Sequence, residues 1–126
     1  GWRGTVARIV EKTLDRMSEL YGTKGEDVQA CIGPGISLEA FEVGEEVYEA
    51  FKIAGFDMER IARRYAKWHI DLWEANRIQL LSKGVKASNV ELAGICTYQH
   101  ATDFFSARRL GIHSGRILSG IMRMEK

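Results

Sequence analysis

One stretch near the carboxyl end of the chain holds most of the side chains that can do chemistry. It reads CTYQHATDFFSARRLGIHSGR and covers residues 96–116. Long connecting segments are uncommon in compact domains, and those that occur often carry function. The density of reactive groups therefore predicts a functional segment. Its thiol, imidazole, carboxylate, hydroxyl and guanidinium groups belong to Cys96, His100, Asp103, Ser106, Arg108, Arg109, His113, Ser114 and Arg116.

The arginines of this stretch indicate an anion site. Arg108, Arg109 and Arg116 lie within nine residues of one another. A guanidinium pairs bidentately with phosphate or carboxylate, so such a cluster can hold an anionic group of a substrate. A solvated cationic face fits the same pattern equally well, and both interpretations stay open.

Two nucleophilic sets can be written from the same stretch, but neither follows from the sequence. One combines Cys96, His100 and Asp103, and the other pairs Ser106 with His113. Catalytic triads are defined by geometry rather than by order along the chain, and the Gly-x-Ser-x-Gly pattern is absent. The patterns Cys-x-x-Cys and His-Glu-x-x-His are absent too, so we predict no metal ligand in this chain.

Hydrophobic periodicity predicts an alternation of helices and strands. Asp71 provides a capping signal at the start of the strongest helix. The order of elements predicts an α+β fold, a mixed β-sheet packed with helices, built by residues 1–126 as a single domain. The predicted helices are 5–21, 45–55, 58–64 and 69–84, and the predicted strands are 27–32, 89–96 and 115–124, the last with a bulge at Gly120.

Composition narrows the class of protein. Of the 126 residues, 45% are hydrophobic and 28% are charged, as in ordinary globular domains. The formal net charge of +1 argues against a nucleic-acid partner, and no apolar run reaches the length of about 20 residues that spans a bilayer. Cys31 and Cys96 both lie in apolar runs, which predicts buried thiols in a reducing cytoplasm.

Five stretches taken together resemble the YfiH-like family, which was once labelled as multicopper polyphenol oxidases and is associated with purine nucleoside phosphorolysis. The resemblance covers nearly the whole chain in the same order. It implies a CNF1/YfiH-like fold. Because similar proteins are considerably longer and carry GWRG near their middle, it also implies that this chain is the C-terminal portion of a larger α/β domain. The stretches are GWRGT, IGPGIS followed by FEVGEEV, HIDLWEANRIQLLSKGV, CTYQHATDFFSARR, and SGR.

The resemblance also implies an activity and a cofactor. Family members are expected to cleave adenosine or inosine with phosphate, and in some cases to deaminate adenosine. Their zinc or copper is held by two histidines and a cysteine that precede the Gly-Trp-Arg-Gly motif, so none of these ligands is carried over onto this chain. Family members often have a second cysteine after Cys-Thr-x, whereas this sequence has Gln99. The chain alone is therefore expected to bind no metal and to be inactive, with its catalytic residues unknown.

Substrate-binding roles can be carried over only as expectations. A purine nucleoside and phosphate are the implied small-molecule partners, and the missing N-terminal half or a second copy of the chain is the implied protein partner. A non-catalytic module that binds a small anion through the arginine-rich segment is one alternative, and a copper-dependent polyphenol oxidase is another. The expected binding residues are Arg3, Arg108 and Arg109 for phosphate, Phe105 or its neighbour Phe104 for the base or ribose, and Ser106 for a hydroxyl.

Overall fold

The computed structural model describes residues 1–125 and has an α+β architecture. Short 3-10 turns at Gly25–Asp27 and Ala87–Asn89 precede two of the strands. The helices are α1 (Trp2–Val6), α2 (Ile9–Tyr21), α3 (Glu45–Ile53), α4 (Met58–Ile61), α5 (Leu72–Ser82) and α6 (Ala107–Leu110). The strands are β1 (Ala30–Ile32), β2 (Glu42–Val43), β3 (Ala62–Arg64), β4 (Trp68–Ile70) and β5 (Val90–Leu92).

The strands form two small sheets, one parallel and one antiparallel. Strand β1 pairs in parallel with β5, and β4 lies between β2 and β3 with both pairs antiparallel. The parallel pairing continues past the strand ends, because Gly35 forms a bridge with Cys96. There Gly35 N donates to Ile95 O (3.1 Å) and Thr97 N donates to Gly35 O (3.0 Å). Helix α5 packs against β1, β5 and α2. The predicted α+β fold, with parallel and antiparallel pairing packed with helices, is confirmed, and the two kinds of pairing lie in separate sheets.

The hydrophobic core lies between the antiparallel sheet and helices α3 and α5. Phe51 is fully buried at its centre, with ring centroids 5.2 Å from Phe56 and 6.5 Å from Trp2. Trp2 thereby anchors α1 to the core, as expected for a tryptophan that carries a large apolar area. The buried members of the cluster are Phe41, Val43, Phe51, Phe56, Ile61, Ile70, Leu72 and Ala75.

The continuous helix predicted for residues 5–21 is wrong, because the chain breaks at Arg8. Arg8 has φ of 59°, in the left-handed region that is costly for a residue with a Cβ. Its guanidinium donates to Ala54 O (2.9 Å), pairs with Glu11 (2.6 Å) and lies 4.1 Å from the centroid of the Phe56 ring. These tertiary contacts offset the local cost and separate α1 from α2.

Strand predictions near the carboxyl end also need correction. The strand predicted for 115–124, with its bulge at Gly120, is not formed, and residues 111–125 have no regular structure. A strand needs a neighbouring strand to pair with its N–H and C=O groups. Within residues 1–125 no strand pairs with this segment, and Leu118 is 97% exposed. The strand predicted for 89–96 is regular only at Val90–Leu92.

Two other predictions fail for equally local reasons. The helix predicted for 58–64 ends at Ile61, because Ala62–Arg64 pairs with β4 instead. The buried thiol predicted at Cys31 is exposed, whereas Cys96 is buried as predicted. Cys31 is the middle residue of β1, and alternation along a strand turns it away from the half-buried Ala30 and Ile32.

The cap of α5 yields a prediction about charge. Asp71 accepts a hydrogen bond from Glu74 N (3.0 Å), which confirms the predicted cap. Burial raises the pKa of Asp71, and the charges of Glu74 and Glu39 add to this, against the opposing backbone hydrogen bonds from Glu74 and Trp73. Ionisation of the folded state is therefore disfavoured, and the free energy of unfolding should fall as pH rises from the ordinary pKa through the raised one.

Asp71→Asn should keep the cap and remove this penalty, so its stability relative to the wild type should grow between about pH 4 and pH 7. Asp71→Ala should instead cost about 1 kcal/mol because the cap is lost. Urea denaturation of the three proteins at both pH values measures the differences. An asparagine variant as unstable as the alanine variant at pH 7 would contradict the prediction.

Candidate functional site

The chemistry-rich segment begins at Cys96, passes through α6 and ends at Arg116, whose Nη1 donates to the neighbouring Gly115 O (3.2 Å). Two successive turns of backbone run from Cys96 to Phe104, because His100 N donates to Cys96 O and Phe104 N donates to His100 O (3.0 Å each). Helix α6 follows, capped by Ser106. The segment is thus held by local hydrogen bonds over most of its length, and it starts where Cys96 meets Gly35.

Cys96 lies in a group of hydrogen-bond donors. Its Sγ accepts a hydrogen bond from Ser37 N (3.3 Å), and the side chain is buried. Burial raises the pKa of the thiol, but the Ser37 side chain and the backbone N–H groups of Gln99, Ser37 and Tyr98 favour the thiolate more strongly, so the pKa lies below its ordinary value. The site can therefore stabilise negative charge on sulfur.

Two buried polar atoms lie near the bridge between Gly35 and Cys96. Ser37 Oγ and Trp73 Nε1 are buried, and neither completes a well-aligned hydrogen bond with any other atom of the described chain. A Cβ on Gly35 would lie 3.3 Å from Trp73 Nε1, so the glycine permits this approach. The sequence analysis overlooked Ser37. The available signal was the Gly-Pro-Gly turn after β1, because Ser37 lies only two residues beyond Gly35.

The thiol can be tested by pH. A group whose pKa is lowered on folding adds stability that is present above the unfolded-state pKa and lost as pH falls through the folded-state pKa. The wild type should therefore gain stability over Cys96→Ala between about pH 7 and pH 9 in reducing buffer. Urea denaturation measures the gain, and Cys31→Ala serves as a control that removes an exposed thiol. A constant difference between the wild type and Cys96→Ala would contradict the assignment.

Arg108 and Arg109 are anchored by the residues that they approach. Arg108 Nη1 donates to Glu42 O (2.6 Å), with its guanidinium 5.1 Å from the Phe41 ring centroid. Arg109 Nη1 donates to Tyr98 O (3.4 Å), with its guanidinium 5.1 Å from the Tyr98 ring centroid. Both side chains are exposed. A guanidinium has several N–H donors, so both arginines retain donors for an anion.

The structure assigns distinct settings to Ser106 and Phe105. Ser106 is buried, and its Oγ accepts from Arg109 N (3.4 Å) as the cap of α6. This bond uses one lone pair of the oxygen, so the hydroxyl proton and the second lone pair remain for a ligand. Phe105 is exposed, and its ring lies against Gly115, where an added Cβ would come within 2.8 Å of ring carbons.

Arg3 stands apart from the other predicted binding residues. It is exposed on α1, and its guanidinium lies 4.9 Å from the Trp2 ring centroid. Within residues 1–125 it forms no hydrogen bond or ion pair with Arg108, Arg109 or the residues that hold them. The structure therefore places Ser106, Arg108 and Arg109 at the cap and in the single turn of α6, whereas Arg3 lies on α1.

The nucleophilic sets written from the sequence do not assemble. Cys96 and His100 are linked through backbone atoms, and the Ser106 hydroxyl caps a helix rather than meeting His113. His69, the remaining histidine, is buried, with Nδ1 2.8 Å from Leu38 O. That contact gives it a structural role.

The donor set of the described chain does not fit a metal ion. Among residues 1–125, no three His, Cys, Asp or Glu side chains come close enough together to hold one. The chemistry assigned to this chain therefore rests on its arginine, thiol and hydroxyl groups.

Comparison with known proteins identifies the family. A family model described as multi-copper polyphenol oxidoreductase laccase matches residues 1–124. The chain belongs to this YfiH-like family. A solved structure of the family, hypothetical protein YfiH of Bacillus licheniformis, superposes with a TM-score of 0.80 at 27% identity, over 86% of this chain and 42% of that protein. The resemblance inferred from the sequence motifs is confirmed.

Curated relatives of this YfiH-like chain carry two kinds of name. A purine nucleoside phosphorylase of Bacteroides thetaiotaomicron is 69% identical over 97% of this chain and 46% of its own length. Adenosine deaminase RL5, from an unknown prokaryotic organism, is 47% identical over 98% of this chain and 48% of its own length. The chain thus spans about half the length of the curated relatives it matches. None of the helices described for it is long and apolar enough to cross a membrane.

Proposed function

We propose that the chain forms one half of a cytoplasmic purine nucleoside phosphorylase. The observation that carries the proposal is the 69% identity, over 97% of the chain, with a protein of that name. Phosphate would attack C1′ of the ribose while the bond between C1′ and the base nitrogen breaks, which gives ribose 1-phosphate and the free purine. Such a displacement needs positive charge around phosphate and a group that positions the nucleoside.

The arginines supply the charge in this proposal. Arg108 and Arg109 each use one guanidinium nitrogen on a backbone carbonyl, Glu42 O and Tyr98 O, and keep donors for phosphate oxygens. The two carbonyls hold the side chains in place before phosphate arrives, which lowers the ordering cost of binding. Arg3 is proposed as a further phosphate contact that the second half of the enzyme would bring within reach.

Phe105 and Ser106 are proposed to contact the nucleoside. The Phe105 ring is 56% exposed and rests on Gly115, so one surface is free to pack against a base or ribose. The Ser106 hydroxyl accepts from Arg109 N and keeps its proton to donate to a nucleoside hydroxyl. Zinc or copper, if the intact enzyme holds it, would polarise a reacting oxygen, and its ligands would come from the second half.

Adenosine deamination is a second candidate, favoured by the 47% identity with adenosine deaminase RL5. In this reaction water replaces the amino group at purine C6, and ammonia leaves. It needs no phosphate, so one assay separates the two activities.

The test joins this chain to the additional part of the Bacteroides relative in one polypeptide. Adenosine and inosine are supplied with and without phosphate, and ribose 1-phosphate, free purine and ammonia are measured. Phosphorolysis predicts free purine only when phosphate is present, whereas deamination predicts ammonia and inosine from adenosine in either buffer. Absence of both activities in a folded, metal-supplied protein would refute the proposal.

The arginine assignment is tested in the same joined protein. Removing one charge-assisted hydrogen bond costs about 1.5–3 kcal/mol, so Arg108→Ala and Arg109→Ala should each raise the KM for phosphate at least about tenfold. Arg3→Ala should lower turnover with little change in the free energy of unfolding. Arg60→Ala is the matched control, because that arginine is exposed on α4 and, among residues 1–125, pairs only with Glu74 across 2.8 Å. An unchanged KM in both α6 variants would remove them from the site.

A further inference from the structure

Helix α2 packs on the rest of the chain through only part of its surface. Ser82 Oγ donates to Glu11 Oε1 (3.3 Å), and Lys83 Nζ pairs with Asp15 (2.9 Å), both across the boundary with α5. At about 100° per residue, Glu11 and Asp15 lie on the side of the helix opposite its apolar stripe. Val10, Leu14 and Met17 are half-buried, so α2 packs through one edge of its apolar stripe and leaves the other edge, with Ile9 and Leu20, exposed.

The edge of the apolar stripe that holds Ile9 and Leu20 is exposed to solvent. Ile9, Met17 and Leu20 fall within about 80° of arc on the helical wheel. Ile9 and Leu20 are each 53% exposed, the neighbouring Tyr21 is 79% exposed, and no residue of α2 is fully buried. Exposed apolar side chains in isolation are ordinary, but a continuous row of them marks an interaction site.

The stripe continues onto β1 and the C-terminal segment. Ile9 lines a cavity of about 340 Å³ together with Cys31, Ile32 and other residues. Met17 lines a second cavity of about 430 Å³ together with Ile121 and Met122. The two grooves are thus joined through α2. We call the combined area the α2–β1 surface, defined by Ile9, Met17, Leu20, Cys31, Ile32, Ile121 and Met122.

Strand β1 adds an unpaired edge to this surface. Within residues 1–125 it pairs only with β5. A sheet edge left open beside apolar side chains favours pairing with another chain segment.

We propose that the α2–β1 surface is the docking face for the other half of the enzyme, that is, the part that the relatives have beyond the length matched here. The proposal rests on the assignment of this chain as one half of a phosphorylase. The Bacteroides relative has 54% of its length outside the match, and the solved YfiH protein has 58% outside it. Each relative must pack that part onto the matched part within one polypeptide, and obligate interfaces of this kind are large and apolar.

The apolar chemistry of the surface favours this occupant over an ion or a nucleic acid. Its defining residues are uncharged, and Asp15 of α2 is engaged by Lys83 on the α5 side. Lys12 and Arg16 flank the groove that Ile9 and Leu20 line, as charged residues do at the polar rim of an apolar interface. Aliphatic and methionine side chains fit a complementary core rather than a polar ligand. A second copy of the chain is the competing occupant, and the experiment separates the two.

Cys31 reports occupancy of the surface without any activity measurement. Its thiol is exposed in the chain alone, so iodoacetamide should alkylate it readily. In the polypeptide that joins this chain to the additional part of the Bacteroides relative, we expect alkylation of the Cys31 peptide, followed by mass spectrometry, to slow at least about tenfold. Equal alkylation in a folded joined protein would overturn the proposal.

Substitutions test the surface itself. Ile9→Lys with Leu20→Lys should lower the Tm of the joined protein and restore alkylation of Cys31, with little effect on the Tm of the chain alone. Ile53→Lys is the matched control, because Ile53 is 83% exposed on α3, away from the surface. An equal loss of Tm in the control and the double variant would overturn the proposal.

The outcomes also distinguish the docking face from self-association of the chain and from the proposed activity. Protection of Cys31 that appears in the chain alone and increases with its concentration would make a second copy the occupant, and would overturn the proposal. Protection in a joined protein that turns over neither adenosine nor inosine would refute the proposed activity and leave the docking face supported. Turnover of adenosine or inosine by a joined protein whose Cys31 stays fully reactive would support the proposed activity and overturn the docking face.

Discussion

Phe51→Ala is expected to lower the free energy of unfolding by about 4 kcal/mol, because truncating a buried aromatic leaves a cavity that the surroundings fill only partly. Phe51 has no exposed surface and contacts both Trp2 and Phe56. Folded domains are stable by about 5–15 kcal/mol, so the loss removes a large share of the total. Urea denaturation followed by circular dichroism measures it.

The effect should reach the predicted binding residues Arg3 and Arg108, because the same core supports the elements that carry them. Trp2 carries the α1 turn that includes Arg3, and Phe41 lies beneath the Arg108 guanidinium. Ile53→Ala is the control, since that side chain is 83% exposed on the same helix and should change stability by less than about 0.5 kcal/mol. Equal effects of the two substitutions would show that Phe51 is not at the centre of the core.

Gly25→Ala is expected to destabilise the chain by about 3 kcal/mol, because the new methyl group meets backbone rather than a side chain that can move. The added Cβ would lie 2.7 Å from Gly84 C and 2.9 Å from Gly84 Cα, and it would also clash with Lys83 O. The end of α5 and the turn before β1 would have to separate. Thermal and urea denaturation should both show the loss.

The control for this prediction is Gly120→Ala. A Cβ at Gly120 meets nothing within 4 Å, so the substitution should be nearly neutral. If Gly25→Ala proved equally neutral, the close approach between the turn and the end of α5 would be wrong.

Elements that depend on local sequence were predicted well, and α5 shows why. Its cap at Asp71 and its buried face of Leu72, Ala75, Gln79 and Leu80 are all encoded within a dozen residues. The break at Arg8 could not be predicted in the same way, because the carbonyl and ring that hold it belong to residues more than forty positions away. Tertiary contacts there override a continuous helical pattern.

The error at the carboxyl end has a related cause. The alternation in residues 115–124 is typical of a strand, but a strand exists only when a neighbour supplies hydrogen bonds. Ser37 was overlooked because it meets Cys96 only in the folded chain, since the two residues are 59 positions apart in the sequence. The motifs nevertheless led to the correct family, because five of them occur along the chain in the same order as in that family.

The parallel pairing of β1 with β5 has a consequence for how the enzyme family can diversify. The carboxyl ends of neighbouring parallel strands open at the same edge of a sheet, where α/β proteins usually bind ligands. Here the turn at Gly33–Gly35 follows β1, and the Cys96 segment follows β5. Insertions or exchanges in these two connections can reshape this edge while the strands and core stay unchanged. A single scaffold of this kind can therefore support different sites by replacing loops.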